Sequence, residues 1–231
     1  MQLLIGTSGF SYPAWRGGFY PEKLPEAKML GHYAGHFRAV EINNSFYRMP
    51  SAEVLARWAG ETPPEFRFAL KSPRRITHDK RLVDTASAVE RLAEASRALG
   101  DKRGPILFQL PPNMKKDLPR LDEFLAALPA GLSAAVEFRH ESWFADDVYG
   151  CLRARKAALC IAESEEIATP VVATADWGYL RLRREDYDDT LVAAWGARIK
   201  EQGWSATYVF FKHEDTGKGP LAAARLHELI A

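Results

Sequence analysis

The chain has 231 residues, 47% of them apolar, 11% aromatic and 26% charged, with 31 Lys and Arg against 30 Asp and Glu. That is globular composition, which excludes a disordered or collagen-like chain and argues against a general nucleic-acid binder built on a basic surface. No apolar run reaches the roughly 18 residues of a bilayer-spanning helix, so no membrane association is expected.

The elements follow in chain order. Met1 leads straight into a strand pattern, Leu3 to Gly6, with no charged start or long apolar stretch, so no signal peptide is expected. The next strand pattern, Ala39 to Asn43, is followed by a helical stretch over Ala52 to Ala59, with Ser51 placed to cap it and Pro63-Pro64 forbidding its continuation. Phe66 to Lys71 is the third strand pattern. After it, Val89, Leu92, Ser96 and Leu99 recur at helical spacing between Asp84, a candidate cap, and Gly100, a candidate stop. Pro105 to Leu110, a helix from Asp117 to Leu128, Ala134 to Arg139 and Ala158 to Glu163 continue the alternation. About 20 residues containing Thr169-Pro170 then precede Tyr179 to Arg183, too few for a full crossover helix, so a degenerate one is expected there. A helix over Leu191 to Gln202, a strand over Thr207 to Lys212 and a final helix over Leu221 to Ile230, opened by Pro220, complete the series. Cys151 and Cys160 fall in helix and strand contexts without metal-type spacing, as in a reduced cytoplasmic protein.

Eight strand patterns at roughly 29 residues per unit match a (β/α)8 barrel occupying residues 1–231 as a single domain. An open doubly wound sheet is the rival that the same alternation would also build.

Alternation within the strands divides their residues into two faces. Val40 and Ile42 alternate with Glu41 and Asn43, Val136 and Phe138 with Glu137 and Arg139, and Leu180 and Leu182 with Arg181 and Arg183. Lys71, Gln109 and Lys212 fall on the same polar set. If the apolar set packs on helices, the polar set converges at the C-terminal mouth, where active sites of this fold lie. Glu41, Glu137 and Glu163 would there face Lys71, Arg139, Arg181 and Lys212, either as a closed ion-pair plug or as a ligand site with a basic lean.

His140 and His213 follow strand ends, where a proton shuttle belongs, with Glu41 or Glu137 as the base. Asn43, Gln109 and Trp143 are further candidate substrate contacts. Two glycine-bearing loops are candidate phosphate cradles: Thr7 and Ser8 within Gly6-Thr7-Ser8-Gly9, and Gly217-Lys218-Gly219 before the last helix. A divalent metal held by Glu137, His140, Glu163 and His213 is disfavoured, because Arg139, Arg181 and Lys212 would repel a cation. No metal is therefore expected. There is no Gly-x-Ser-x-Gly elbow, and nothing pairs either cysteine with a histidine.

Five blocks carry a family resemblance. They are Ile5-Gly6-Thr7-Ser8-Gly9-Phe10-Ser11-Tyr12 with Trp15, Val40-Glu41-Ile42-Asn43-Asn44-Ser45-Phe46-Tyr47, and Phe66-Arg67-Phe68-Ala69-Leu70-Lys71-Ser72-Pro73 leading to Ile76-Thr77-His78. Gly104-Pro105-Ile106-Leu107-Phe108-Gln109-Leu110-Pro111-Pro112 and Val136-Glu137-Phe138-Arg139-His140 through Trp143-Phe144 follow. In order and content they resemble the domain of unknown function 72 (YecE-like) family. The resemblance implies a TIM-type barrel in a cytoplasmic protein, with a pocket at the strand C-termini and no assigned reaction. The chain departs from the family pattern at Lys212-His213-Glu214-Asp215, where paired asparagines and an acidic residue are usual, and at Arg183-Arg184, where His-Gly is common. Both departures make the mouth more basic.

The expected function is an enzyme that binds a small anionic, phosphorylated substrate and performs hydrolase- or lyase-type acid/base chemistry. Two other classes stand beside it. One is a nucleic-acid-binding or metal-dependent endonuclease-like barrel, with Arg74, Arg75, Arg183 and Arg184 on phosphates and Trp15 or Tyr12 stacking on bases. The other is a non-catalytic ligand sensor.

Overall fold

The computed structural model describes residues 1–164, 168–212 and 217–230. Eight parallel strands close into a barrel in sequence order: β1 (Gln2–Ser8), β2 (Ala39–Ile42), β3 (Arg67–Lys71), β4 (Arg103–Gln109), β5 (Ala134–Glu137), β6 (Ala158–Glu163), β7 (Trp177–Leu182) and β8 (Ala206–Phe211). Pairing of β1 with β8, from Gln2 opposite Ala206 to Thr7 opposite Phe211, shuts the sheet and excludes the open alternative. Among the described residues the helices are α1 (Glu26–Ala34), α2 (Ala52–Gly60), α3 (Ala86–Ser96), α4 (Leu118–Ala126), α5 (Asp146–Ala154), α6 (Asp189–Glu201) and α7 (Lys218–Ile230).

Local chemistry sets the helix ends. The side chains of Ser51, Asp117 and Asp188 accept from the backbone N–H of Val54, Arg120 and Leu191, capping α2, α4 and α6. Asp84, expected to cap α3, instead sits at φ +49°, and Thr85 is the residue before the helix. Gly100 takes φ +55° where the turn after α3 breaks, a conformation that favours glycine. Between β6 and β7 the described residues form no helix. Thr174 fills the gap, accepting from the Leu159 N–H at 2.7 Å and donating to the Ala157 carbonyl at 2.8 Å.

Two apolar layers follow from the alternation within the strands. Val40, Ile42, Phe68, Leu70, Ile106, Phe108, Val136, Phe138, Leu180, Leu182, Val209 and Phe211 pack outward against the helices. Inside the barrel, Leu4, Ala39, Ala69, Leu107, Ala135, Ala158, Cys160, Tyr179 and Phe210 make a second, smaller core. Each is at most 2% exposed, so the lower barrel is a closed floor. The polar residues lie above it, at the strand C-termini.

Candidate functional site: a charged barrel mouth

Arg181 is the centre of the mouth, and it is 2% exposed. Its Nε and Nη2 donate to Glu41 Oε1 at 3.2 and 2.9 Å, and its Nη1 donates to Glu137 Oε2 at 2.6 Å. One guanidinium thus bridges two carboxylates that are themselves fully buried. The remaining lone pairs of Glu41 are taken by Ser8 Oγ (2.8 Å) and Tyr179 Oη (2.7 Å). Those of Glu137 are taken by Gln109 Nε2 (2.7 Å) and Arg139 Nε (3.0 Å). Burial by itself would raise both carboxyls, but Arg181 and these donors outweigh it. Glu41 is held below its ordinary value, and Glu137 falls to about 2.

The sign of the resulting pH dependence is fixed. A carboxyl lowered on folding contributes stability above its unfolded value, and that contribution is lost as the pH falls through the folded one. Acid unfolding monitored by circular dichroism is therefore expected to draw on Glu137 between about pH 4.5 and 2, and Glu137→Gln to flatten the curve in that window. An unchanged acid limb in the variant would contradict this.

Three further cations ring the buried triad. Arg139 pairs with Glu137, and Arg183 Nη1 stands 3.9 Å from the same carboxylate. The Arg183 Nε is buried without a hydrogen-bond partner among the described residues. Lys71, at the end of β3, places Nζ 4.2 Å from the Phe46 ring centroid and has no carboxylate within 4.0 Å among the described residues. Burial, followed by the Arg181 charge, pushes its amine down to about 8, against the opposing pull of Glu137 and Glu41. Ser45 Oγ lies 2.6 Å from the Lys71 carbonyl oxygen and 2.8 Å from that of Ile42, fixing the end of β3 against the loop after β2. Among the described residues, four cations therefore face two carboxylates, an excess of two positive charges.

The loop after β3 adds a residue that the strand pattern did not single out. His78 lies in a π-helical turn, Arg75–Asp79, with its ring centroid 4.9 Å from that of Phe46. Burial, then Lys71, Arg74 and Arg139, lower its imidazole below the ordinary value. Directly beyond, Arg81, Leu82 and Asp84 all have positive φ, with Leu82 buried at φ +72°. Such conformations are costly for side chains other than glycine and cluster at functional loops.

Several expected site residues lie elsewhere. Glu163 faces outward, accepting from Trp195 Nε1 (2.9 Å) and Tyr187 Oη (3.1 Å) and pairing with Arg184. Its register neighbour Leu182 belongs to the outer layer, and Ala162, opposite Arg181, takes the interior position. Trp143 is fully buried, stacked on Phe138 at 4.6 Å and donating to the Met114 carbonyl, so it is a core residue and not a substrate contact. His140 accepts from the Ser142 N–H through Nδ1 and caps a short turn. At the end of β1 the Thr7 N–H donates to Tyr33 Oη (2.7 Å) and the Gly9 N–H to the Glu41 carbonyl (2.8 Å), while the Ser8 hydroxyl donates to Glu41 Oε1. Lys218 pairs with Asp186, and Gly219 is buried within α7. Gly217, at φ +67°, is the described residue before that helix. Lys212 follows β8, its N–H bonded to the Leu182 carbonyl. His213 lies outside the described residues.

Three of the residues considered for nucleic-acid contact are committed elsewhere. Trp15 is 1% exposed and cannot stack on a base, Arg74 pairs with Asp79, and Arg183 turns into the mouth. No group of three or more His, Cys, Asp or Glu suited to a metal occurs among the described residues. No described helix is long and apolar enough to cross a membrane. Asn43 Oδ1, 3.4 Å from Arg181 Nη2, joins the mouth to a cleft of about 510 Å³ lined by Phe10, Tyr12, Trp58, Asn44 and Arg57.

Comparison with known proteins places this geometry among relatives. A family model described as protein of unknown function DUF72 matches residues 4–231. The UPF0759 protein YecE of Escherichia coli strain K12 is 34% identical over 145 residues, covering 62% of this chain and 50% of YecE. The chain thus spans about half the length of that relative. UPF0759 protein YunF of Bacillus subtilis strain 168 is 28% identical over 214 residues, covering 87% of this chain and 72% of YunF. The crystal structure of a DUF72 family protein from Thermotoga maritima MSB8 superposes with a TM-score of 0.84 at 25% identity, covering 99% of this chain and 98% of that one.

Proposed function

The chain belongs to the DUF72 family, and from that premise, which supplies a barrel but no reaction, we propose that its mouth binds a small phosphorylated substrate for acid/base chemistry of the hydrolase or lyase type. The observation that carries this reading is the excess of two positive charges left, among the described residues, after Glu41 and Glu137 are satisfied. A closed ion-pair plug would balance its charges. Here Arg139, Arg183 and Lys71 stand at the rim around a centre of net charge −1, which offsets only one of them, and a phosphate would complement the rest. The partly exposed side chains of Arg139 and Arg183, 28% and 21%, leave that rim accessible from solvent.

The two carboxylates serve as holders in this reading. Each spends its oxygens on fixed donors and stays ionised near neutral pH, which makes it a poor general acid. Proton transfer falls to rim groups with softer protons, Lys71 and His78. The cleft beyond Asn43 would receive the uncharged remainder of the substrate.

Inorganic phosphate is the first probe. It is expected to raise the Tm of the full chain in proportion to the logarithm of its concentration, at fixed ionic strength against chloride. Arg139→Ala and Arg183→Ala are each expected to weaken binding about tenfold or more, by titration calorimetry. Phosphate affinity unchanged in both variants, or no phosphate binding at all, would sink the proposal.

A further inference from the structure

We infer that Lys71 is a covalent residue: its amine forms an imine with a phosphorylated aldehyde or ketone held by the guanidiniums of the mouth. This rests on the anion-binding reading above and specifies the substrate class of that same site.

Position comes first. Lys71 ends a barrel strand at the mouth, its backbone carbonyl is tied to Ser45, and its ammonium rests against the Phe46 ring instead of a carboxylate. Among the described residues, the other cations around the triad carry ion pairs: Arg181 with Glu41 and Glu137, and Arg139 and Arg183 with Glu137. A lysine kept as a structural counter-charge would sit against one of those carboxylates. Crowding by guanidiniums and desolvation favour the neutral amine, the form that attacks a carbonyl. With the amine near 8, about a tenth is free at pH 7, against well under a thousandth for an ordinary lysine. His78 packs against the same Phe46 ring as Lys71.

The chemistry balances without any added oxidant or reductant. The Lys71 nitrogen pair forms a C–N bond to the carbonyl carbon as the C=O π pair moves to oxygen. That oxygen takes up a proton, and nitrogen releases one to solvent, giving a carbinolamine. Protonation of the hydroxyl and loss of water leave a protonated imine. Its positive nitrogen withdraws electrons from the neighbouring carbon and eases removal of a proton there, which favours the lyase over the hydrolase branch. Water reverses the sequence and frees the amine.

The test uses the full chain and pyridoxal 5′-phosphate, a phosphorylated aldehyde whose imine absorbs in the visible range. After reduction with borohydride and digestion, mass spectrometry is expected to find Lys71 labelled at least tenfold faster than any other lysine. The rate should rise through about pH 8, be suppressed by inorganic phosphate, and drop at least tenfold with unphosphorylated pyridoxal. Lys71→Arg should still bind phosphate by calorimetry and lose the fast label. The wild-type labelling pattern stands even if that variant fails to fold. Phosphate binding with label spread evenly over surface lysines would overturn the imine and leave the anion site intact. Equal labelling by pyridoxal would overturn the phosphorylated class. Absence of phosphate binding would instead fell the reading on which this rests.

Discussion

Arg181→Met is expected to lower the unfolding free energy by about 3–5 kcal/mol, because it strands two carboxylates in a site that no longer holds their shared cation. Glu41 suffers most, retaining only the hydroxyls of Ser8 and Tyr179, whereas Glu137 keeps Arg139 beside it. A second consequence separates this from generic loss of packing. In the variant the Glu41 carboxyl should titrate above its unfolded value, so stability should rise as the pH falls through that new value, opposite to the wild-type trend. Adding Glu41→Gln should recover a large part of the loss near neutral pH. Urea unfolding at pH 5 and pH 8 measures both effects. A variant as stable as wild type, or one with no pH inversion, would show that the triad is not the keystone described above.

Trp143→Ala is expected to cost about 3–5 kcal/mol of stability while leaving phosphate affinity within twofold. The indole is fully buried against Phe138, and its N–H satisfies the Met114 carbonyl. Truncation removes the stack, opens a cavity and orphans that carbonyl. Trp143→Phe separates the contributions, since it keeps a ring on Phe138 and loses only the donor. Chemical denaturation together with phosphate calorimetry decides the matter, and a large change in affinity at preserved stability would return Trp143 to the site.

The contrast between these two residues says what was legible in the sequence. Arg181 could be read because β7 alternates cleanly, Leu180 and Leu182 against Arg181 and Arg183, and a parallel barrel turns such alternation into inside and outside. The same logic placed Glu41, Glu137 and Gln109 correctly. It failed at β6, where Ala158-Leu159-Cys160-Ile161-Ala162 is apolar on both faces, so nothing in the strand reveals which face Glu163 shares. Only the register of Ala162 opposite Arg181 settles that. Trp143 and His140 lie past the end of β5, where alternation stops and a short turn folds the indole back under the strand.

His78 was out of reach for a related reason: its place beside Phe46 depends on a π-helical turn and three positive-φ residues that no periodicity announces. Among the helices, α1 and α5 are the faintest in sequence. Each is nine residues long with a glycine inside, Gly31 or Gly150, which weakens the intrinsic helical signal that tertiary packing then overrides.

The closed floor beneath the triad has a consequence for traffic. With Leu4, Ala69, Leu107, Tyr179 and Phe210 sealing the barrel from below, the mouth is a cup with one lip and not a tunnel. Whatever enters must leave by the way it came, past Arg139, Arg183 and Lys71. The charges that attract an anion would therefore also detain its product, and release would be fastest where the exit is least basic, on the Asn43 side facing the cleft.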